Sequence, residues 1–178
     1  ALPSYAWIRR DSSHLYIGVR HEVNQATPLQ TGDTWWAGDM MEIIFEGCKG
    51  VGTGGWWLDE RPHGPLFYLV GDYTGKFDSI CIEGLPPARA QRLLHGVRYA
   101  ARADVPGQWT AEWQIPLAPM CIDPVKTDFC NFNIGVRKLG TQPKPGKTLS
   151  GNDTWTVWSR AHGANWQVWN AGRLQLQK

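Results

Sequence analysis

Residues 109–115 read Trp-Thr-Ala-Glu-Trp-Gln-Ile. Successive side chains of an extended strand point to opposite faces. Trp109, Ala111, Trp113 and Ile115 therefore share one face, and Thr110, Glu112 and Gln114 the other. The same period of two recurs along the chain. His14–Val23 places Leu15, Ile17, Val19 and Val23 together, with Tyr16, Arg20 and Glu22 opposite. Asp39–Glu46 sets Met41, Ile43 and Phe45 against Met40, Glu42, Ile44 and Glu46. Phe132, Ile134 and Val136 alternate with Asn131, Asn133, Gly135 and Arg137. Val97–Ala103 alternates with Arg98 and Arg102 outward, and Leu66–Val70, Thr154–Trp158 and Arg173–Gln177 complete the strand set.

Glycine- and proline-rich segments at 47–55, 71–75, 84–87 and 140–151 punctuate these runs. Pro86–Leu94 alone reads as a short helix, because prolines suit a first helical turn. Many short strands separated by turns predict an all-β fold, an antiparallel β-sandwich. The chain has 178 residues, which favours a single domain over 1–178 and suffices for a sizeable core. Strands resume after 141–151, so that stretch reads as an exposed loop rather than a linker.

Composition narrows the function classes. Apolar residues make up 42% and charged residues 19%, the balance of a globular chain. Net charge is +2, with lysine and arginine scattered, so there is no footprint for nucleic acid. No apolar run approaches the roughly 20 residues of a membrane helix. The start, Ala-Leu-Pro, carries no signal-peptide pattern and reads as a mature or excised form. Cys48, Cys81, Cys121 and Cys130 allow two disulfides in three pairings, or four buried thiols. The Asn152-Asp153-Thr154 triplet fits a glycosylation sequon.

Several catalytic patterns fail on spacing. Gly146-Lys147-Thr148 resembles the end of a phosphate loop, but Thr141 stands where its first glycine belongs. The histidines lack H-E-x-x-H spacing, and no G-x-S-x-G occurs. Asp39, Glu42 and Glu112 are candidates for a glycosidase pair, which requires two acids across a cleft. On one strand Asp39 and Glu42 point to opposite faces, so one acid capping a turn and the other binding a ligand is the better reading.

The chain has 11 tryptophans, more than a core of this size requires. Strand parity assigns Trp109 and Trp113 to the core, and Trp7 and Trp158 are expected there too. Trp36 precedes the Asp39–Glu46 strand, and Glu42 faces away from the core. The acid is thus expected on the outside, with a ring above it.

The ordered motifs L-Y-I-G-V at 15–19, W-A-G-D-M-M-E at 36–42, W-T-A-E-W-Q-I-P-L at 109–117, F-N-I-G-V-R at 132–137, W-S at 158–159 and G-R-L-Q-L at 172–176 resemble carbohydrate-binding module family 9 and family 9-like domains. The resemblance spans nearly the whole chain. It implies an immunoglobulin-like or jelly-roll sandwich, secreted to the cell exterior and appended to a polysaccharide-degrading enzyme. It implies no catalysis by the chain itself. Terminal sugars of cellulose or xylan would be held between two tryptophans. Trp36 matches one ring, and Trp166 the other, with Trp169 as a second candidate. Glu42 matches the family acid, Asn165 a family asparagine, and Arg160 or Arg20 would add donors. Tyr68 stands where the family expects an arginine. No cofactor is required; structural calcium is frequent in the family, although Asp72, Asp78, Asp123 and Asp128 form no recognisable calcium loop. The expected partner is a polysaccharide or oligosaccharide, not nucleic acid or a membrane.

The residue types suit that chemistry. An indole offers a flat face to the C–H face of a pyranose, and two facing rings grip a chain end. Carboxylates and amides at the rim exchange hydrogen bonds with hydroxyls. Two other readings remain in view. One is a haem-binding electron-transfer domain with Met40 and His162 as ligands. The other is a protein-interaction sandwich without sugar binding.

Overall fold

The computed structural model describes residues 2–25, 28–32, 38–47, 64–138, 154–159 and 172–176, with 81, 83, 154 and 155 described for backbone alone. In chain order the elements are β1 (Ser4–Arg10), β2 (His14–Glu22), β3 (Met40–Glu46), β4 (Leu66–Asp72), β5 (Phe77–Glu83), α1 (Pro87–Gly96), β6 (Arg98–Arg102), β7 (Gln108–Pro116), a 3₁₀ turn (Ala118–Met120), β8 (Phe129–Lys138), β9 (Thr154–Val157) and β10 (Gly172–Gln175). A four-stranded sheet runs β1-β2-β7-β6. The second sheet runs β10-β8-β3-β4-β5, with β9 also paired to β8. All pairings are antiparallel.

The expected inward faces meet in one core. Leu15, Ile17, Val19, Trp109, Ala111, Trp113 and Ile115 come from the first sheet. Met41, Ile43, Phe45, Phe67, Leu69, Phe132, Ile134 and Val136 come from the second. Each such large apolar side chain contributes about 1.5–3 kcal/mol when withdrawn from water. The helix forms where expected, with proline in its first turn, and buries Leu93. No helix among the described residues is long and apolar enough to cross a membrane.

Three expectations need correction. Trp7 is 56% exposed and Trp158 53% exposed, so neither belongs to the core. Trp7 pairs with Gly18 on the outer parity of β2, while Ile8 takes the inward position. Trp158 lies beyond β9, edge-on to Phe132 at 5.7 Å and directly over Gly172, where a Cβ would collide with the indole. The third concerns the outer face of the second sheet. That face is buried as well, with Met40, Ile44, Leu66, Tyr68 and Val70 forming a second cluster.

β1 and β5 were not apparent in the sequence. In β5 the register shifts between Tyr68 and Leu69 of β4, so Tyr68 pairs with Cys81 and Leu69 with Ser79. The extra residue, Ile80, packs on the outer cluster, while Ile82 reaches the core. Cys130 is buried in the core and Cys121 half-buried after the 3₁₀ turn. Cys48, the side chain of Cys81 and the 152–154 sequon side chains lie outside the described residues.

His21 shows how tightly the end of the sandwich is closed. Its ring is buried edge-on to Trp109, and its Nδ1 shares a 2.5 Å hydrogen bond with the Ser4 hydroxyl. Burial first, then the nearby Lys138 charge, pulls its pKa down to about 4, with Asp39 opposing. The unfolded chain therefore takes up the proton first, and stability present above pH ~6.5 is lost as pH falls toward ~4, by at most about 3 kcal/mol. Melting temperatures measured across that window should fall more steeply for the native chain than for His21→Leu. Parallel slopes would show that His21 does not drive the acid sensitivity.

Candidate functional site

The outer face of the second sheet carries polar and ionic side chains that have no part in the core. In register, Glu42 of β3 lies between Val70 of β4 and Gly135 of β8. Ile44 lies between Tyr68 and Asn133, and Met40 between Asp72 and Arg137. Glu42 is 0% exposed, and Asn133 and Arg137 are buried too. The outward parity of Glu42 is as expected. Its position in solvent is not, because parity fixes the face of a strand and not what lies over it.

Burial imposes pairing, since an isolated charge in such a place costs several kcal/mol. The Tyr68 hydroxyl donates a short hydrogen bond to Glu42 Oε1. Burial, the Glu42 charge and that bond all hold the phenol protonated well above its ordinary range, against the opposing pull of Arg137. Tyr68 is therefore a donor to Glu42 at any ordinary pH, and Arg137 supplies the positive charge on this face.

Asn133 works on the backbone. Its Oδ1 accepts from the amides of Ile134 and Ser159, and its Nδ2 donates to the Ser159 carbonyl at 3.1 Å. Ser159 is the last described residue before segment 160–171. The two strands flanking that segment, β9 and β10, share one edge of β8: Val157 pairs with Gly135, in the Glu42 row, and Gly172 pairs with Phe132. The described residues on either side of segment 160–171 thus lie beside β8, the strand that neighbours β3. Glu46 has a bracing role, accepting from the Gly64 amide at 2.7 Å and from Asn131 Nδ2 at 2.6 Å.

Asp39 is the acid that closes a turn. Its carboxylate accepts from the Gln30 amide at 2.7 Å, its own amide donates to the Gln30 carbonyl, and Lys138 Nζ sits 3.1 Å away. A cavity of about 220 Å³ opens beside it, between Thr31, Gly38, Met40, Val70, Asp72 and Phe77. It adjoins the Glu42–Val70 row and lies next to both ends of segment 33–37, which holds Trp36.

Of the expected ligand-binding residues, the structure describes Glu42. Trp36, Arg160, Asn165, Trp166 and Trp169 lie outside the described residues, as does His162. Arg20 is on the outer face of the other sheet, away from Glu42. Glu112 shares that opposite face, so Asp39, Glu42 and Glu112 do not form a carboxylate pair across a cleft. Met40 sits in the apolar cluster with Ile44 and Val70. Tyr68, Asn133 and Arg137 are the residues of this face that the sequence did not single out for the site. Asn133 and Arg137 had a legible signal, two polar residues on the outward parity of a strand otherwise rich in apolar side chains.

Among the described residues, no three His, Cys, Asp or Glu side chains converge on a common point. Asp72 Oδ1 accepts from the amides of Thr74 and Lys76 in its own turn, and Asp123 Oδ1 accepts from the Val125 amide while its other oxygen pairs with Lys126. These two acids are thus engaged within their own turns.

Two antiparallel sheets around one core, with buried polar side chains on the outer face of the larger sheet, define the class of fold. The sequence matches no protein-family model and no curated protein. Solved structures do match. A carbohydrate-binding module family 9 from Caldicellulosiruptor kristjanssonii in complex with cellotriose superposes with a TM-score of 0.67 at 13% identity, covering 97% of this chain and 73% of that one. A carbohydrate-binding module family 9 from the same organism in complex with glucose gives 0.65 at 12% identity, covering 97% of this chain and 75% of that one. The chain therefore has a family 9-like β-sandwich fold.

Proposed function

We propose that this chain is a non-catalytic carbohydrate-binding module. It holds terminal sugars of plant polysaccharides of the cellulose or xylan type, and it is secreted as part of a larger glycoside-degrading enzyme. The observation that carries the reading is the buried polar group Glu42, Tyr68, Asn133 and Arg137, spread over three adjacent rows of the outer face of the larger sheet, in a fold shared with a module solved with cellotriose. A carboxylate has about four acceptor positions, so Glu42 can take a sugar hydroxyl beside its bond from Tyr68, and an ionised acceptor makes the stronger bond.

Segment 33–37 joins β3 two residues before Met40, and segment 160–171 joins β9 and β10. Trp36 and Trp166 supply the two stacking faces in this proposal, with Asn165 donating at the rim and Trp169 and Arg160 beside them. Glu42 accepts from a sugar hydroxyl at the base of the site. Its carboxylate is withdrawn from solvent, so binding requires a local opening of the outer face. A disaccharide of about 23 heavy atoms, at roughly 0.3 kcal/mol per atom, binds with about 7 kcal/mol, a Kd near 10 μM. Such affinity suits a module that acts by raising the effective concentration of an attached enzyme at its substrate.

The test is the double variant Trp36→Ala/Trp166→Ala. Retention on insoluble cellulose and xylan should drop to background while the melting temperature stays near that of the native chain. Retention that survives the double change would remove both rings from the site.

A further inference from the structure

The other outer face of the sandwich, on the four-stranded sheet, is open and unlike the first. Strand register arranges it in rows running across the strands. The middle row is Trp7, Gly18, Glu112 and Ala100. Trp7 is 56% exposed, and a Cβ built on Gly18 would meet no atom within 4 Å. Gly18 thus leaves a shallow trough between the Trp7 indole and the Glu112 carboxylate, with the small Ala100 beyond the carboxylate. Neighbouring strands lie ~4.8 Å apart, so the row spans about 14 Å, and adjacent rows stand ~6.8 Å away on each side.

The flanking rows are taller and basic. Arg20, Thr110 and Arg102 form one side, and Arg9, Tyr16 and Arg98 belong to the other. The Arg20 guanidinium lies 4.6 Å from the Tyr5 ring centroid and 6.0 Å from that of Trp7, held between two exposed rings. Arg98 is steadied by bonds to the His95 and Val97 carbonyls. Glu112, Glu22 and Asp11, which accepts the Tyr16 hydroxyl at 2.8 Å, oppose the four arginines, so the face keeps a small positive excess while its centre can accept hydrogen bonds.

We infer that this face is a second glycan-binding surface, which takes an internal stretch of an extended, uronate-bearing polysaccharide. Trp7 stacks on a sugar ring. Glu112 accepts from ring hydroxyls in the trough. In an extended β-1,4-linked chain the carboxylates at C6 alternate between the two edges, and guanidiniums stand along both edges to receive them. A phosphate backbone crossing the same trough would meet the Glu112 carboxylate, which disfavours nucleic acid. The inference does not rest on the sugar site at Glu42, which lies on the opposite face.

Isothermal titration with a β-1,4-linked mannuronate hexamer, at low and raised salt, tests the proposal in the native chain, Gly18→Leu, Trp7→Ala and Glu42→Gln. Gly18→Leu fills the trough in open space on a strand, so the melting temperature should not fall. The hexamer should bind the native chain, weaken with salt, and lose about tenfold or more in affinity in Gly18→Leu and in Trp7→Ala. Glu42→Gln should leave it unchanged, and cellohexaose binding should survive Gly18→Leu. The inference is overturned if the native chain gives no heat with the hexamer, or if both trough variants bind it normally. Loss of hexamer binding in Glu42→Gln alone would also overturn it. So would self-association abolished by Gly18→Leu without uronate binding, which would make a second copy the occupant.

Discussion

Glu42→Ala should remove measurable cellobiose binding and lower the unfolding free energy by about 3 kcal/mol. The carboxylate is 0% exposed and accepts the Tyr68 hydroxyl. Its loss leaves a buried phenol without that acceptor and the Arg137 charge on the same face without that anion. Glu42→Gln keeps the shape and an acceptor oxygen, so it should cost about 1 kcal/mol while still weakening sugar binding by about tenfold, because a neutral acceptor makes the weaker bond. Denaturant unfolding and calorimetry on the two variants separate these effects. Unchanged affinity in Glu42→Gln would take the acid out of the sugar site and leave it a bracing residue.

Trp113→Ala should be the most damaging single change in the core. The indole is buried, packs against Tyr99 at 4.3 Å and Phe77 at 5.9 Å, and donates from Nε1 to Met41 Sδ at 3.1 Å. Gly71 lies beneath it, where a Cβ would come within 2.8 Å of the ring. The close fit leaves the surroundings little room to collapse into the vacated space, so the expected loss is about 4 kcal/mol. Denaturant titration reads it directly. A loss below about 1 kcal/mol would mean that the two sheets are not locked together through this ring.

Alternation alone carried the inward faces of β2, β3, β7 and β8, because those strands bury one face in the shared core. It failed where its premises failed. β5 contains an extra residue at Ile80, which breaks the period of two. β1 is an edge strand with Tyr5 and Trp7 in solvent, so hydrophobicity pointed the wrong way at Trp7. Parity set Glu42, Asn133 and Arg137 on the correct face, yet burial of that face depends on long-range packing that local pattern does not encode. Tyr68 is instructive in a different way. The resemblance expects an arginine there; in this chain a phenol donates to Glu42, and Arg137, from β8, brings the positive charge to the face.

Each outer face of the sandwich thus has its own chemistry. One holds a buried polar group, the proposed contact for hydroxyls at a chain end. The other is an open, cationic trough suited to a chain interior. If both operate, a single module would engage a polysaccharide at two points, and the second contact would gain from the high effective concentration set by the first.

Calorimetric titration with cellobiose and xylobiose, each beside its reduced alditol, tests the central claim most directly. The account predicts saturable heat with at least one free disaccharide, a Kd of about 10 μM, and loss of that heat in the Trp36→Ala/Trp166→Ala variant. Binding to the free sugar and not to its alditol would add that the site reads an intact reducing end. Silence with every sugar, from a chain that remains folded, would contradict the account and leave the polar group on the larger sheet as a purely structural feature.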